Sequence, residues 1–535
     1  MILAVYRWKQ SEKNVFNLYR RRTFSPPIFL LMKLITTIFL LCFLLKGQVF
    51  SQDKRDYIWF SASQTDLLPG IETNLFDFNN PSQVVEPGES ILQYDRNNAL
   101  ICDREGQLLF YSNGCAVADR LHRIMPNGDS INAGIFFDTS WLGNCDFGFP
   151  GNQDILALPD PADSLGFFLV TKLPEYTLEG EVKQRTVQFS YINLRLNDGY
   201  GDVTIKNKII HDSVNYSVAG LNAIEHINKK DYWILQPAED SKVYTFLLDE
   251  TGISLQFAQD IFPEIDYLTA SAGTSTFSTD GKLFAFNNSK QGIFLFDFDR
   301  ETGVLSNQRI YPLSSGLGII SIEFSPSNQF IYAALTDSLY QVDLWEQEVE
   351  EAAVLIDTWD GTFAPFPPFA ATFSMCKLAP DCRIYIAPGS SSSYYHFINK
   401  PDEKGLACDF RQRGLELPWI SPLGNFPNYP RFRVDDEEKC DPSITSMFGE
   451  VVYYEKPLEV YPNPAIDHLT VNLPDASKGL LILMDLTGQV FYNKQVGGSS
   501  IELQTDELPA GMYFIEFLPE ENRDLVIYSA KVVVR

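Results

Sequence analysis

Side chains that could carry hydrolytic or metal chemistry are scattered along this sequence rather than grouped in motifs. A zinc protease motif needs two closely spaced histidines around a glutamate, and a serine hydrolase places its nucleophile in a Gly-X-Ser-X-Gly turn. Neither spacing occurs. The five histidines are His122, His211, His226, His396 and His468. The sequence therefore assigns no catalytic residue, no metal ligand and no cofactor-binding residue.

Carboxylates are abundant, with 69 Asp and Glu, and a glycoside hydrolase needs only two of them at a suitable separation. Such a pair can come from distant parts of the chain, so sequence spacing does not locate it. Asp297, Asp299 and Glu301 alternate along a strand into a turn and could offer oxygen ligands to calcium. Their loop lacks the spacing of a known calcium motif, and a solvated strand end is the better interpretation.

The cysteines suggest disulfides rather than nucleophiles. Seven remain when Cys42, in an apolar segment, is set aside, so at least one stays free or pairs elsewhere. Cys376 and Cys382 flank KLAPD symmetrically, and in a hairpin they would face each other across the strands. Cys408 and Cys440 could clip the end of the large domain. These four are the candidate disulfide cysteines.

The apolar segment LITTIFLLCFLL, at residues 34–45, follows Lys33 and predicts a secretory signal peptide. Cleavage is expected between Ser51 and Gln52, so that residues 1–51 comprise an over-extended N-terminus and the signal peptide. An uncleaved membrane anchor is the alternative, although about a dozen apolar residues is short for a bilayer.

Cleavage there would leave a strongly acidic chain. The whole sequence carries a formal charge of −27, and losing residues 1–51 removes eight Lys or Arg and one Glu, which brings the charge to −34. An acidic surface of this size repels phosphate backbones. Nucleic acid is therefore not an expected partner.

From about residue 57 to residue 440 the sequence consists of short strands separated by polar turns, with no amphipathic helical period. One unit recurs, a small polar or proline-containing turn followed by an aromatic strand. Examples are CDREGQLLFYSN at Cys102, FSTDGKLFAFNN at Phe277, FSPSNQFIYAAL at Phe324 and LAPDCRIYIAP at Leu378. The units lie at the spacing of four-stranded propeller blades. The pattern predicts a β-propeller of about seven blades at residues 52–440, with a pair of β-sandwiches as the alternative.

These turn-plus-strand units resemble those of secreted bacterial β-propellers related to WD-repeat and lactonase-like proteins. FSTDGKLFAF is similar to their turn signature, whereas APDCRIYIA places Cys382 where glycine is usual. That departure favours a local disulfide and argues against a positive-φ turn there. The segment KPDEKGLACDFRQRGLELP, residues 400–418, is also similar to segments of such propellers.

The end of the chain resembles the C-terminal sorting domain of type IX secretion substrates. Four segments match in order: VYPNPAIDHLTVNL, LLILMDLTGQVFYN, IELQTDELPAGMYFIEF and YSAKVVVR. The motif residues are Tyr461, Pro462, Asn463, Pro464, Gly488, Gly511 and Lys531. The prolines would hold the chain extended, and the two glycines would supply tight turns. An ordinary immunoglobulin-like stalk would show the same strands and is the alternative.

The resemblance implies an all-β chain with a linker at residues 441–457 and an immunoglobulin-like sorting sandwich at residues 458–535. It further implies recognition by the type IX translocon, followed by release or attachment to surface lipopolysaccharide. We expect a secreted or outer-membrane-surface protein that binds an extracellular glycan or protein without catalysis and without a cofactor. An extracellular enzyme acting on polysaccharide or another polymer is the alternative.

Overall fold

The computed structural model describes most of the chain beyond residue 51. The described residues are 52–61, 73–81, 84–94, 97–140, 142–145, 148–149, 151–177, 180–217, 219–261, 273–289, 291–313, 319–363, 370–421, 426–447, 454–474, 478–485, 490–506, 508–519 and 526–535. The predicted signal peptide, Ser51 included, and Gly488 lie outside these ranges. Gln52 lies inside them and accepts a hydrogen bond from the Tyr57 hydroxyl at 2.8 Å. In these ranges, no helix has the length and apolar character that crossing a bilayer requires.

The described residues fall into two compact units. The first comprises residues 52–77 and 85–440, and the second comprises residues 441–535 together with 78–84. The domain boundaries given by the sequence remain predictions, and the two units are described separately below.

The first unit contains seven antiparallel sheets in its described residues, each made of consecutive strands. The first two sheets are β1 (Ile58–Ser61), β2 (Thr73–Asp77) and β3 (Val85–Gly88), then β4 (Ala99–Cys102), β5 (Leu108–Ser112) and β6 (Val117–Asp119). The third and fourth are β7 (Ile155–Asp160), β8 (Asp163–Tyr176), β9 (Val182–Asn193) and β10 (Asp202–His211), then β11 (Asn222–Glu225), β12 (Tyr232–Ala238), β13 (Lys242–Asp249) and β14 (Gly252–Asp260).

The remaining three sheets have four strands each. They are β15 (Ser275–Phe277), β16 (Leu283–Asn288), β17 (Gly292–Phe298) and β18 (Leu305–Tyr311); β19 (Ile319–Phe324), β20 (Phe330–Leu335), β21 (Ser338–Asp343) and β22 (Ala353–Thr358); and β23 (Phe373–Leu378), β24 (Ile384–Pro388), β25 (Ser392–Ile398) and β26 (Phe410–Ser421). One short helix, α1 (Ile135–Ser140), and 3₁₀ turns at Asn197–Gly199, Val349–Glu351 and Gly405–Cys408 complete the described elements of this unit.

Each sheet neighbours the next, and the last returns to the first. Large apolar side chains fill the spaces between the fourth and fifth, fifth and sixth, and sixth and seventh sheets. Asn74 of the first sheet exchanges two hydrogen bonds with the backbone of Trp419 in the last, at 3.1 and 2.9 Å. Closed radial packing of antiparallel sheets is the architecture of a β-propeller. The sequence prediction of this fold is confirmed, whereas the blade number of the whole chain remains a prediction.

The recurrent turn follows the first strand of a sheet and requires one residue with positive φ. In the fifth sheet that residue is Gly281, at φ +69°. Asn328 and Cys382 occupy the same place in the sixth and seventh sheets, at φ +63° and +67°. The expectation that Cys382 argues against a positive-φ turn was wrong. The turn is closed by hydrogen bonds between Ala379 and Arg383 and from Cys382 to Ala379, which hold the backbone in this conformation.

The second unit is an immunoglobulin-like β-sandwich. One sheet has the order β28 (Glu459–Tyr461), β29 (His468–Asn472), β32 (Ser500–Gln504). The other has the order β27 (Tyr454–Pro457), β34 (Val526–Val534), β33 (Gly511–Pro519), β30 (Lys478–Asp485), β31 (Val490–Gly497), and a 3₁₀ turn, Pro442–Met447, precedes both. Alternating residues such as Leu469, Val471, Ile515 and Phe517 form its core.

The YPNP motif lies between β28 and β29, which belong to one sheet, and bonds to β34 of the other sheet. Tyr461 ends β28, and the Asn463 side chain then donates to the Lys531 carbonyl at 2.6 Å and accepts from the Val533 amide at 3.0 Å. Asn463 thus replaces a strand at the edge of β34. Gly511 has no left-handed φ, and an added Cβ would meet only the Pro509 carbonyl and the Tyr513 ring, both at 3.8 Å. The backbone therefore does not require glycine there, contrary to the expectation from sequence.

Candidate functional site at the propeller axis

The segment that follows the last sheet returns into the centre of the ring. We call residues Phe426–Cys440 the axial segment. The backbone amide of Asn428 donates to the Asn98 carbonyl at 2.8 Å, and its side-chain amide donates to the carbonyls of Ile155 and Leu221 at 3.0 and 2.8 Å. These three carbonyls lie at the beginnings of the inner strands of three different sheets. One asparagine therefore joins the second, third and fourth sheets.

Arg431 continues this pattern deeper along the axis. Its amide donates to the Ala223 carbonyl at 2.9 Å, beside a parallel bridge between Arg431 and Ile224. Its guanidinium donates to the Phe277 carbonyl and to the Glu323 carboxylate, both at 2.8 Å. Arg431 thereby links the fourth, fifth and sixth sheets.

The far end of the axial segment is fixed by charge and by a disulfide. Arg433 forms an ion pair with Asp56, before the first strand, and Cys440 is bonded to Cys382 in the seventh sheet. The space left beside Tyr429, Arg431 and Lys377 is about 20 Å³. That is room for about one water molecule. In the described residues, the axis is therefore filled by the protein's own chain.

The cysteine pairing differs from the prediction. Cys382 bonds to Cys440 rather than to Cys376, and a second disulfide joins Cys115 to Cys145. Cys376 lies opposite Ile386 in the strand register, whereas Cys382 lies in the turn beyond the last strand pair, so the two do not face each other. Cys376 and Cys408 are buried thiols, as is Cys102.

Glu323 is the most completely enclosed carboxylate that touches the axial segment. Its side chain is 2% exposed and accepts from Thr276, Arg431 and the backbone amides of Phe324 and Leu378. Burial acts to raise its pKa, but the charges of Arg431 and Lys377 and these hydrogen bonds lower it overall. Glu323 is therefore held as an anion, which does not suit a general acid.

Two other buried carboxyls have a pKa raised to about 6. Burial raises the pKa of Asp154 to about 6 and lowers that of its partner Lys172, 2.6 Å away, while each partner's charge opposes the shift. Burial also raises the pKa of Asp381 to about 6, although the Tyr385 hydroxyl donates to it at 2.7 Å. Perturbed carboxyls often mark active sites, but both of these face protein groups rather than open space. Their contacts indicate a structural role.

The calcium candidates from the sequence do not converge. Asp297 accepts from Asn307 at 2.7 Å and pairs with Arg309, whereas Asp299 accepts from the Thr302 hydroxyl and the Glu301 amide. The Asp297 contacts join two paired strands, and the Asp299 contacts close a turn. Among the residues that the structure describes, no cluster of three His, Cys, Asp or Glu side chains could hold a metal ion.

His396 predicts a specific acid sensitivity of the propeller. Burial, and to a lesser degree the charge of Arg413, lowers its pKa from 6.5 to about 4, against a small opposing effect of Asp360. Its Nδ1 accepts from the Arg413 amide at 3.1 Å, so the neutral ring is the folded form. The buried neutral ring of His396 contributes fully to the free energy of unfolding above pH 6.5, and this contribution is lost as the pH falls towards 4. The difference between the unfolded and folded pKa of His396 corresponds to about 3 kcal/mol of stability.

Denaturant unfolding of wild type and His396→Gln at pH 7 and pH 4.5 measures this effect. The variant is expected to be less stable at pH 7 but to lose less stability on acidification, because the other titrating groups are common to both proteins. Equal losses in the two proteins would contradict the assignment to His396.

The sequence prediction did not identify the axial segment. The available signal is PRFRV, in which Arg431 and Arg433 alternate with apolar residues in an otherwise acidic chain. Such alternation indicates two buried cations on one side of an extended segment. Their partners, Glu323 and Asp56, are more than a hundred residues away in sequence, and spacing alone does not pair them.

Comparison with known proteins finds one family match and several remote similarities. Residues 459–534 match the family model of the secretion system C-terminal sorting domain. The chain is 32% identical over 102 residues to ulvan lyase NLR42 of Nonlabens ulvanivorans, which is 19% of this chain and 18% of that protein. This chain thus spans less than a fifth of the lyase's length.

Solved structures with partial similarity include a periplasmic lactonase and a propeller domain. The periplasmic gluconolactonase PpgL of Pseudomonas aeruginosa is 13% identical, with a TM-score of 0.40 over 70% of this chain and 99% of that one. The β-propeller domain of Cps50 (Swd1) of Myceliophteria thermophila is 10% identical, with a TM-score of 0.36 over 62% of this chain and 90% of that one. The fold assignment rests on the sheet order and packing described above.

Proposed function

Because residues 459–534 are a type IX secretion sorting domain, which directs the chain to the extracellular space or the cell surface, we propose that the propeller acts there as a non-enzymatic binding or adhesion module. Its ligand is an extracellular glycan or protein. The sorting domain itself interacts with the type IX secretion system. Attachment to surface lipopolysaccharide, or release into the medium, is the subsequent fate under this proposal.

The observation that carries the proposal is the filled axis. In a propeller the inner strands of all sheets converge there, so the axis is where groups from several sheets could act on one substrate. Ligand sites commonly occupy about 300–1,000 Å³. The space that the described residues leave beside Tyr429 and Arg431 is about 20 Å³, which is too small for a sugar ring.

The chemistry of the axial carboxylates supports the same conclusion. Glycoside cleavage uses one protonated and one ionised carboxyl facing a shared open gap. Glu323 pairs with Arg431, and Asp56 pairs with Arg433. Each carboxylate is thus neutralised by the segment that fills the axis, which favours a structural role for both.

A direct test applies the full-length exported protein to glycan and peptide arrays and, in parallel, to a panel of extracellular polysaccharides. Bound ligand without new reducing or unsaturated chain ends is the expected result. Depolymerisation in proportion to added protein would favour the polymer-degrading alternative. Absence of binding on both arrays would overturn the binding proposal.

A further inference from the structure

An open cleft lies at the outer rim of the propeller, between the sixth and seventh sheets. Its volume is about 360 Å³, within the range of small-ligand sites and far above the space at the axis. The lining residues are Ile356, Asp357, Leu406, Asp409, Phe410 and Arg411. They come from β22, the Gly405–Cys408 turn and β26, so two neighbouring sheets contribute.

The cleft combines acceptors, donors and an apolar surface. Asp357 accepts from the Gln412 side chain at 2.8 Å, and Asp409 accepts from the Asn399 side chain at 2.9 Å, which fixes both carboxylates. Each carboxylate oxygen retains a further lone pair. Arg411 donates to Asp409 through Nε at 2.7 Å, and in the described residues its two Nη groups have no hydrogen-bond partner. Leu406, 81% exposed, lies at the mouth.

The loop that carries Leu406 is held rigidly by the neighbouring sheet. The Gly405 amide donates to the Gln341 side chain at 2.8 Å, and Gln341 donates to the Glu403 carbonyl at 2.7 Å. Lys404 forms an ion pair with Asp343 at 2.9 Å. An exposed leucine on a fixed loop does not retreat from water, and rigid positioning lowers the entropy cost of binding. The sequence KPDEKGLACDFRQRGLELP supplies this loop and the strand after it.

We infer that this cleft binds a neutral oligosaccharide, an inference that rests on the proposed binding function. Sugar hydroxyls donate to Asp357 and Asp409 and accept from Arg411, and the apolar face of a sugar ring packs on Leu406. Two carboxylates against one guanidinium leave the lining net negative, which disfavours uronates and sulfated sugars. Six residues line the cleft, far fewer than the roughly 20–30 that each partner contributes to a standard protein interface.

The test measures binding of the full-length exported protein to neutral fragments of β-glucan, xylan and mannan, with alginate fragments and peptides as the contrasting probes. Arg411→Ala and Leu406→Ser are the cleft variants. The matched controls are Arg195→Ala, which removes a similarly exposed arginine from its pair with Asp163, and Leu142→Ser, at a site 84% exposed elsewhere. Thermal melts confirm that all four variants are folded.

We expect neutral fragments to bind wild type and both controls equally, and each cleft variant to weaken binding at least about tenfold, the loss of roughly one good contact. If neutral fragments bind and the cleft variants match the controls, the cleft assignment is wrong and the binding function stands. Binding of alginate or peptides alone would likewise overturn the cleft assignment and leave the binding function in place. Binding of nothing would overturn both.

Discussion

A chain that ends after Asp441 is expected to be absent from the medium and the cell surface, and to be retained inside the cell. This truncation keeps the axial segment and the Cys382–Cys440 disulfide and removes residues 459–534, which match the sorting-domain model. Since every described contact of the axial segment with the seven sheets is preserved, retention would reflect the lost sorting signal rather than an opened propeller. Immunoblots of medium, surface and cell fractions measure the distribution.

A pair of point variants separates recognition of the folded sandwich from recognition of a short peptide. Ile515 is fully buried in the sandwich core, and Ile515→Asp places a carboxylate there at a cost of several kcal/mol. Glu502 is exposed on β32, so Glu502→Gln is the matched control. We expect the first to block export and the second to export normally. Export of the truncated chain at the wild-type level would refute the role of the sorting domain.

Local sequence patterns predicted local structure well. FSTDGKLFAF contains the last residue of β15, the turn with its positive-φ Gly281 and the first four residues of β16, so the turn can be predicted without any distant segment. The YPNP motif was recognised from its own residue types, although Asn463 bonds to Lys531 and Val533, which lie 68 and 70 residues further along the chain. These two features correctly indicated the propeller and the sorting domain.

Features that depend on distant segments were missed for one physical reason. The disulfide partner of Cys382 is set by the return of the chain along the axis, not by the strand register around Cys376. The rim cleft likewise exists only because β22 and the loop before β26 come from different sheets. Neither the disulfide nor the cleft produces a periodic pattern in the sequence from which it could be predicted.

The largest stability effect is expected at the ion pair between Arg431 and Glu323. Arg431→Ala would leave Glu323 buried without its direct cation, and removing one partner of a buried pair costs about 3–5 kcal/mol. Lys377 also attracts Glu323, so the loss should lie near the lower end of that range. Denaturant unfolding of the full chain measures this loss of stability, with a probe in the propeller monitoring the transition. Arg195→Ala, which breaks an exposed pair, is the control and should change stability little.

The double variant Glu323→Gln with Arg431→Met distinguishes the charge from the packing. A glutamine whose oxygen takes the Oε1 position still accepts from Thr276 and the Phe324 amide and loses only the bond from the Leu378 amide, and a methionine still fills space along the axis, so much of the lost stability should return. Recovery would show that the fold does not require a charged side chain at position 323 and requires only that no unpaired charge is buried there. If Arg431→Ala is no less stable than Arg195→Ala, then the axial segment does not hold the sheets together. The filled axis would then be a removable obstruction, and an enzymatic site beneath it would become the better proposal.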